Sequence, residues 1–218
     1  MKKIKVIILS LIIIIVLLVA FFLLYNYFNN DGEKEVKTIK FISNYGYELK
    51  ENETKIYKDE FENLDNILSK KEVDYEEYAK SIAKLFIIDF YTLTNKLSKN
   101  DIGGTEFIKE SMRDNFIEEA RSTFYKYLEV ASDSRDQDLP EVSEIKDVKV
   151  SNTSFVIKDS NIKTTSKTTY KTTTASGTTV DAYKVTISWD YKEDFGYETD
   201  TNMIIIKEDK KLYIVEMD

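Results

Sequence analysis

The pattern of apolar and polar residues divides the chain into three stretches. Residues 6–28 are almost entirely apolar and carry no charge. In residues 52–129, apolar residues recur every three or four positions, which is typical of helices. In residues 141–216 they alternate with polar residues, which is typical of antiparallel strands. The sequence therefore predicts an N-terminal transmembrane helix, followed by an α+β domain whose helices pack on one face of a curved antiparallel sheet.

The apolar stretch at residues 6–28 is long enough to cross a bilayer, because about twenty helical residues span about 30 Å of hydrocarbon. Three lysines lie within residues 1–5, and no basic residue follows the stretch before Lys34. The positive-inside rule then places residues 1–5 in the cytoplasm and the domain outside. A cleaved signal peptide is the alternative, but its apolar region is shorter and ends in a small-residue cleavage site. We therefore predict a single-pass cell-membrane protein.

Three helices are predicted beyond a juxtamembrane linker, which covers residues 29–51 and has room for one short strand. Asp74 and Glu77 match an acidic variant of the capping box at the start of the second helix. That helix carries enough apolar residues to be buried on more than one side. The paired glycines Gly103 and Gly104 separate it from a third helix, which Thr105 would cap. The predicted helices are residues 52–69, 74–97 and 105–129.

Five strands are predicted after the helices. Between Tyr183 and Tyr191, apolar and polar residues alternate strictly, which is typical of a half-buried antiparallel strand. The charged residues 207–211 predict a hairpin turn. The predicted strands are residues 145–150, 153–157, 180–191, 199–206 and 212–216. Residues 52–218 are therefore expected to fold alone as one extracytoplasmic domain.

Composition narrows the classes of function. The first 30 residues hold three lysines and no acid, so the remainder carries 28 basic and 39 acidic residues, a net charge of −11. This charge disfavours nucleic acids as partners and allows a protein partner. The 218 residues include no cysteine and no histidine, which excludes disulfides, the usual zinc sites and Cys–His or Ser–His catalysis. We expect no cofactor. The preference for lysine over arginine, with many isoleucines and asparagines, indicates an AT-rich bacterial genome.

Asp89 is the one candidate for a catalytic residue. It lies inside the apolar run of residues 86–91, at the edge of the second helix's apolar stripe. A desolvated carboxylate at this place would be suited to act as a base. The alternative, which the pattern favours, is a carboxylate that reaches solvent or pairs with a lysine or arginine.

Two further sets of residues are candidates for binding a partner. Arg113 and Arg121 lie eight positions apart on the predicted third helix. They form either a clamp for carboxylates or part of a solvated helix face. Residues 163–179 are rich in threonine and predict an exposed hairpin, with a glycosylated loop as the alternative. The hairpin's edge and its basic strip suit an added strand or an acidic partner, and its candidate residues are Lys163, Lys167, Tyr170 and Lys171.

The order of elements resembles a known superfamily. A helical block at residues 52–129, followed by strands that close at residues 183–191, 203–206 and 212–216, resembles the nuclear transport factor two-like cone domains. Among these, the single-span inner-membrane components of type IV secretion and conjugation machines are similar in their basic tail, anchor, helices and sheet. The resemblance covers residues 52–218 and is architectural. It implies a sheet wrapped around the second helix, with a pocket at one end.

These observations favour a non-enzymatic interaction or scaffold domain in the bacterial cell envelope, in a secretion or conjugation assembly if the resemblance holds. The alternative is a cone-fold protein that binds a small ligand or catalyses an isomerisation with Asp89. An open pocket in which polar groups converge on Asp89 would favour the alternative. The sheet and the threonine-rich hairpin are the expected partner surface, because the helix stripes are needed for the core.

Overall fold

The computed structural model describes residues 14–21, 36–132, 134–158 and 177–218. The chain divides into two compact units, Met1–Glu35 and Val36–Asp218. The first is described only as helix α1, residues 14–21. The elements of the second are β1 (Thr38–Ile42), β2 (Tyr47–Lys50), α2 (Lys55–Leu68), α3 (Tyr75–Tyr91), a 3-10 helix (Thr105–Phe107), α4 (Glu110–Ser122), β3 (Val142–Lys158), β4 (Gly177–Tyr191), β5 (Asp200–Glu208) and β6 (Lys211–Met217).

The predicted membrane span lies mostly outside the described residues. Of residues 6–28, the structure describes residues 14–21, and it does not describe residues 1–5 or 29–35. Within the described ranges, no helix combines the length and the apolar character that crossing a bilayer requires. The membrane anchor and its orientation therefore stay predictions.

The predicted α+β class is confirmed for the second unit. A curved antiparallel sheet with the strand order β3-β4-β5-β6 packs against the helices, and β1 and β2 form a separate two-stranded sheet. Helix α3 is the centre of the core. It contacts α2 on one side and strands β3 and β4 on the other. Eleven of its 17 residues are buried, as the width of its apolar stripe predicted.

Helix α3 begins where the sequence predicted and ends six residues earlier. The Asp74 side chain accepts hydrogen bonds from the backbone N–H groups of Glu76 and Glu77, at 3.1 and 3.2 Å. The helix stops at Tyr91 because the next residues are used by the start of β3. The Thr92 hydroxyl accepts from the N–H of Val142, and the Leu93 N–H donates to a carbonyl just before β3. The predicted extension to residue 97 is therefore wrong.

The predicted third helix, residues 105–129, is also wrong in its extent. The chain forms a 3-10 turn at Thr105–Phe107, and Ile108 then makes a parallel bridge to Ile214 of β6. Because this bridge needs extended backbone, α4 begins only at Glu110 and has no side-chain cap. Apolar residues keep a helical spacing before and after this bridge, so the sequence pattern did not show that the helix is interrupted.

The strands follow the prediction closely, with one merger. The two strands predicted at residues 145–150 and 153–157 are a single strand, β3, which pairs with β4 along its length. On β4, Val185, Ile187 and Trp189 are buried and Thr186 is exposed, which confirms the predicted alternation. A bulge in β6 interrupts its register with β5 between Ile204 and Ile205. The last two strands are joined by the predicted charged turn.

The compact unit includes a hairpin in the region predicted to be a linker. Strands β1 and β2 pair within residues 38–50, and the side chains of Tyr47 and Leu49 are buried in the main core. The Tyr47 hydroxyl lies 2.6 Å from the hydroxyl of Tyr78 on α3, which in turn accepts from the Leu212 N–H of β6. The unit thus begins at Val36 instead of residue 52.

Candidate functional site

Asp89 lies in a small cavity lined mainly by polar residues, which we call the polar pocket. Its volume is about 270 Å³, and it lies between the β1–β2 hairpin, the start of α2, α3 and the Gly103–Gly104 loop. The Asp89 carboxylate accepts a hydrogen bond of 2.6 Å from the Gly104 N–H and forms an ion pair with Lys96. Asp89 is therefore paired with a lysine, which is one of the alternatives that the sequence left open.

Glycine is required beside Asp89 because the loop passes against α3. A Cβ atom at Gly103 would lie 2.3 Å from the backbone oxygen of Asp89, closer than atoms can approach. Gly104 adopts a φ of 72°, and a Cβ there would lie 2.6 Å from the ring of Phe86. The paired glycines, which the sequence marked as a break, are thus what brings an N–H donor to the carboxylate.

Lys96 is the buried partner of Asp89, and its side chain is only 3% exposed. Burial alone would lower the pKa of Lys96, but the nearby carboxylates of Asp89 and Glu53 outweigh this effect and the pKa is raised. The ammonium group therefore stays charged across the physiological range. The Asp89 carboxylate is thus held in place by the ion pair with Lys96 and the hydrogen bond from Gly104.

Two further carboxyl groups of the polar pocket titrate near neutral pH. Burial, together with the charge of Asp89, raises the pKa of Glu53 to about 7. The same two causes raise the pKa of Glu106 to about 7. The Glu53 carboxylate accepts a hydrogen bond from Asn95, and that of Glu106 accepts one from the hydroxyl of Tyr57. The described residues contain no group of three or more ligands that could hold a metal ion.

These pKa values predict that the domain loses stability as the pH rises. A carboxyl group with a raised pKa in the folded state binds its proton more tightly than in the unfolded state. The stabilisation is complete below the unfolded-state pKa of 4.5 and disappears as the pH passes through about 7. We expect the free energy of unfolding to fall by about 5 kcal/mol between about pH 5 and pH 8, with about half of this from each group.

Urea unfolding at a series of pH values measures this slope. The double variant Glu53→Gln/Glu106→Gln should flatten it, since glutamine does not titrate. Glu72→Gln, at an exposed position, is the matched control and should leave the slope unchanged. A stability that stays constant or rises over this pH range would contradict the prediction.

The structure does not bring the other candidate residues together. Arg113 is half-buried and donates to the Ile108 carbonyl at 3.4 Å, whereas Arg121 is exposed. Arg121 makes no hydrogen bond or ion pair within the described part of the chain. The basic candidates of the threonine-rich segment, Lys163, Lys167, Tyr170 and Lys171, lie outside the described residues.

Arg135, the third arginine, was not a candidate and has a clear structural role. Its guanidinium donates to the carbonyls of Thr94 and Lys96, at 2.9 Å each. It thereby fixes the turn that follows α3 and places Lys96 opposite Asp89. The sequence offered no signal for this contact, because Arg135 lies in a polar loop far from α3 in the chain.

A second cavity is a separate, open cleft that we call the aromatic cleft. Its volume is about 730 Å³, and it lies between α4, the end of α3, β6 and the turn from β4 to β5. Aromatic rings form its floor. Phe90 of α3 lies 5.3 Å from Phe116 and 5.7 Å from Phe124, and Phe124 meets Tyr197 edge-on at 5.1 Å, measured between ring centroids.

The aromatic cleft remains open because α4 is attached mainly at its two ends. Before the helix, Ile108 is bridged to Ile214. After it, the Tyr125 hydroxyl donates to the Phe90 carbonyl at 2.7 Å and accepts from the Gly103 N–H at 3.1 Å. Along the helix itself, Ala120 is the one buried residue. The rings beside it therefore line a groove instead of filling a core.

The two cavities differ in the chemistry of the residues that line them. Asp89, Lys96, Glu53 and Glu106 line the polar pocket, which is smaller than most ligand sites. The aromatic cleft has the volume and apolar lining of a ligand site, and Asp89 does not line it. Phe116 and Phe124 lie within the predicted third helix, residues 105–129, whose helical periodicity predicted burial and not an open cleft.

Comparison with known proteins found no match. The chain matches no protein-family model, no curated protein and no solved structure. The resemblance to the nuclear transport factor two-like cone domains therefore stays a prediction based on the order of its elements.

Proposed function

We propose that the chain is a membrane-tethered binding module that receives an apolar ligand group in the aromatic cleft. The observation that carries this proposal is an open cavity of about 730 Å³ with a floor of aromatic rings. Burying an aromatic or aliphatic side chain there would remove apolar surface from water on both partners, at about 25 cal/mol per Å². Cavities of this size and composition are typical of ligand sites.

The contending function is isomerase-type chemistry with Asp89 as the base. The surroundings of Asp89 argue against it, because the carboxylate is paired with Lys96 and bound by the Gly104 N–H. A base needs a free lone pair directed at the substrate. Asp89 is better described as a residue that fixes the loop after α3.

The tether is the uncharged stretch of residues 6–28, and the lysines within residues 1–5 support an orientation with the domain outside. Protease added to intact cells or protoplasts should then digest the domain, and full protection would contradict this orientation. We extend the proposal to a cell-envelope assembly of the secretion or conjugation type, on the architectural resemblance alone.

Binding of a neutral apolar fluorophore tests the cleft. In the chain Val36–Asp218, 1-N-phenylnaphthylamine should bind with an affinity of about micromolar order. Asn115 lines the cleft and is exposed, so Asn115→Trp should fill it without disturbing the core and weaken binding by about tenfold or more.

Ser111→Trp is the matched control, because Ser111 lies on the same helix, is exposed and does not line the cleft. It should bind the fluorophore like the unaltered chain. Both variants should keep the melting temperature. The absence of binding, or equal binding by Asn115→Trp and the unaltered chain, would contradict the proposed function.

A further inference from the structure

In the part of the chain that the structure describes, strand β6 has an open edge beside the aromatic cleft. This strand is the last of the four-stranded sheet, so one of its edges faces away from β5. The bridge from Ile108 and the hydrogen bond from the Lys109 N–H both end at Ile214, after which the chain turns into α4. Within the described residues, no backbone hydrogen bond reaches the outer edge of residues 215–217. Unpaired backbone groups of this kind can pair with another strand.

This open edge and the aromatic floor belong to the same groove. Residues 214–217 of β6 line the cleft, and so do Met112 and Phe116 of α4. A strand added to β6 would therefore run along the cleft. Because side chains alternate along a strand, every second one would point toward the aromatic rings and the others would point to the rim.

Among the described residues, all of the charged side chains that line the cleft are acidic. They are Glu119 on α4, Glu198 in the turn from β4 to β5, and Glu216 on β6. Aromatic faces also attract cations. The groove thus favours a ligand that carries positive charge, and its carboxylates would repel the head group of a fatty acid.

We infer that the aromatic cleft binds an extended peptide of alternating basic and apolar residues, which adds as a strand to the outer edge of β6. This inference rests on the proposed function and specifies its ligand. The apolar side chains occupy the floor, the basic ones meet the three glutamates, and the peptide backbone pairs with residues 215–217. A small neutral ligand would use the floor alone.

Three labelled heptapeptides test each part of the inference on the full chain in phosphatidylcholine nanodiscs, with empty nanodiscs as the blank. The first alternates lysine with valine and phenylalanine, the second has glutamate in place of lysine, and the third is the lysine peptide with alternate backbone nitrogens methylated. By fluorescence polarisation, the first should bind about tenfold more tightly than either of the others.

Substitutions in the chain test whether the peptide binds in the aromatic cleft. The triple variant Glu119→Gln/Glu198→Gln/Glu216→Gln should lose most of the preference for lysine over glutamate peptides. Glu118→Gln is the matched control, because Glu118 is an exposed neighbour that does not line the cleft. Asn115→Trp should weaken binding of the lysine peptide by about tenfold or more.

Equal affinity for the lysine and glutamate peptides would overturn the cationic ligand, and an unchanged affinity after N-methylation would overturn strand addition. Self-association of the chain through β6 that the peptide does not reverse would also overturn the inference. If the fluorophore binds and no peptide does, this inference fails while the proposed function stands. If neither binds, both fail.

Discussion

Removal of the β1–β2 hairpin is expected to cost the domain most of its stability. Tyr47 is fully buried, and its hydroxyl contacts that of Tyr78 in the centre of the core. The ammonium groups of Lys210 and Lys211 also lie over the rings of Tyr45 and Tyr47, at 5.1 and 4.2 Å from the ring centroids. Loss of one buried aromatic side chain alone costs about 3–5 kcal/mol, in domains whose total stability is about 5–15 kcal/mol.

Urea unfolding of two chains, one beginning at Val36 and one at Asn52, measures this loss. The longer chain should unfold cooperatively, and the shorter should show little or no cooperative transition. Two substitutions distinguish the loss of a buried side chain from the effect of shortening the chain. Tyr47→Ala should destabilise by about 3–5 kcal/mol, and Phe41→Ala, at a side chain that is 52% exposed, by less than about 1 kcal/mol. Equal stability of the two chains would show that the hairpin is a linker, as the sequence first indicated.

The hairpin was missed because its strands are short and its pattern is interrupted. Ile39 and Phe41 are apolar yet exposed on β1, while Tyr47 and Leu49 are the residues that face the core. A sequence shows apolar residues, but four- or five-residue strands give too few positions to tell which side is buried. The longer alternation of β4 and the wide stripe of α3 gave enough positions, and both predictions are confirmed.

The candidate site was harder to predict than the fold, because its cavities depend on contacts between distant parts of the chain. The aromatic cleft exists because Ile108 pairs with Ile214 and interrupts the helical backbone. Nothing in the local pattern around Ile108 signals a partner so far along the chain. Periodicity identified Phe116 and Phe124 as residues that face the protein, but it does not indicate whether the space in front of them is filled.

The sequence predicted the position of Asp89 at the edge of the core but did not identify its partner. The sequence placed Asp89 at the edge of the core stripe and left open whether a cation neutralises it. Lys96 follows seven residues later, and on a continuous helix both would share a face. The helix ends at Tyr91, and the ion pair is made by the turn that Arg135 holds.

Lys96→Met is expected to destabilise the domain by about 3–5 kcal/mol, because it leaves the Asp89 carboxylate buried without its cation. Methionine keeps much of the lysine's length, so lost volume contributes little. The double variant Lys96→Met/Asp89→Asn removes both charges and keeps an acceptor for the Gly104 N–H. It should recover most of the loss, since a neutral pair of similar shape needs no desolvated charge.

Urea unfolding of the two single variants and the double variant gives the coupling energy between the side chains, which we expect to exceed about 2 kcal/mol. Lys55→Met is the matched control, because the Lys55 side chain is 88% exposed and its ion pair with Asp59 lies at the surface, where such pairs contribute about 0–1 kcal/mol. Additive effects of the Lys96 and Asp89 substitutions would show that the two groups do not stabilise each other. That outcome would free Asp89 for the role of a base and reopen the isomerase-type alternative.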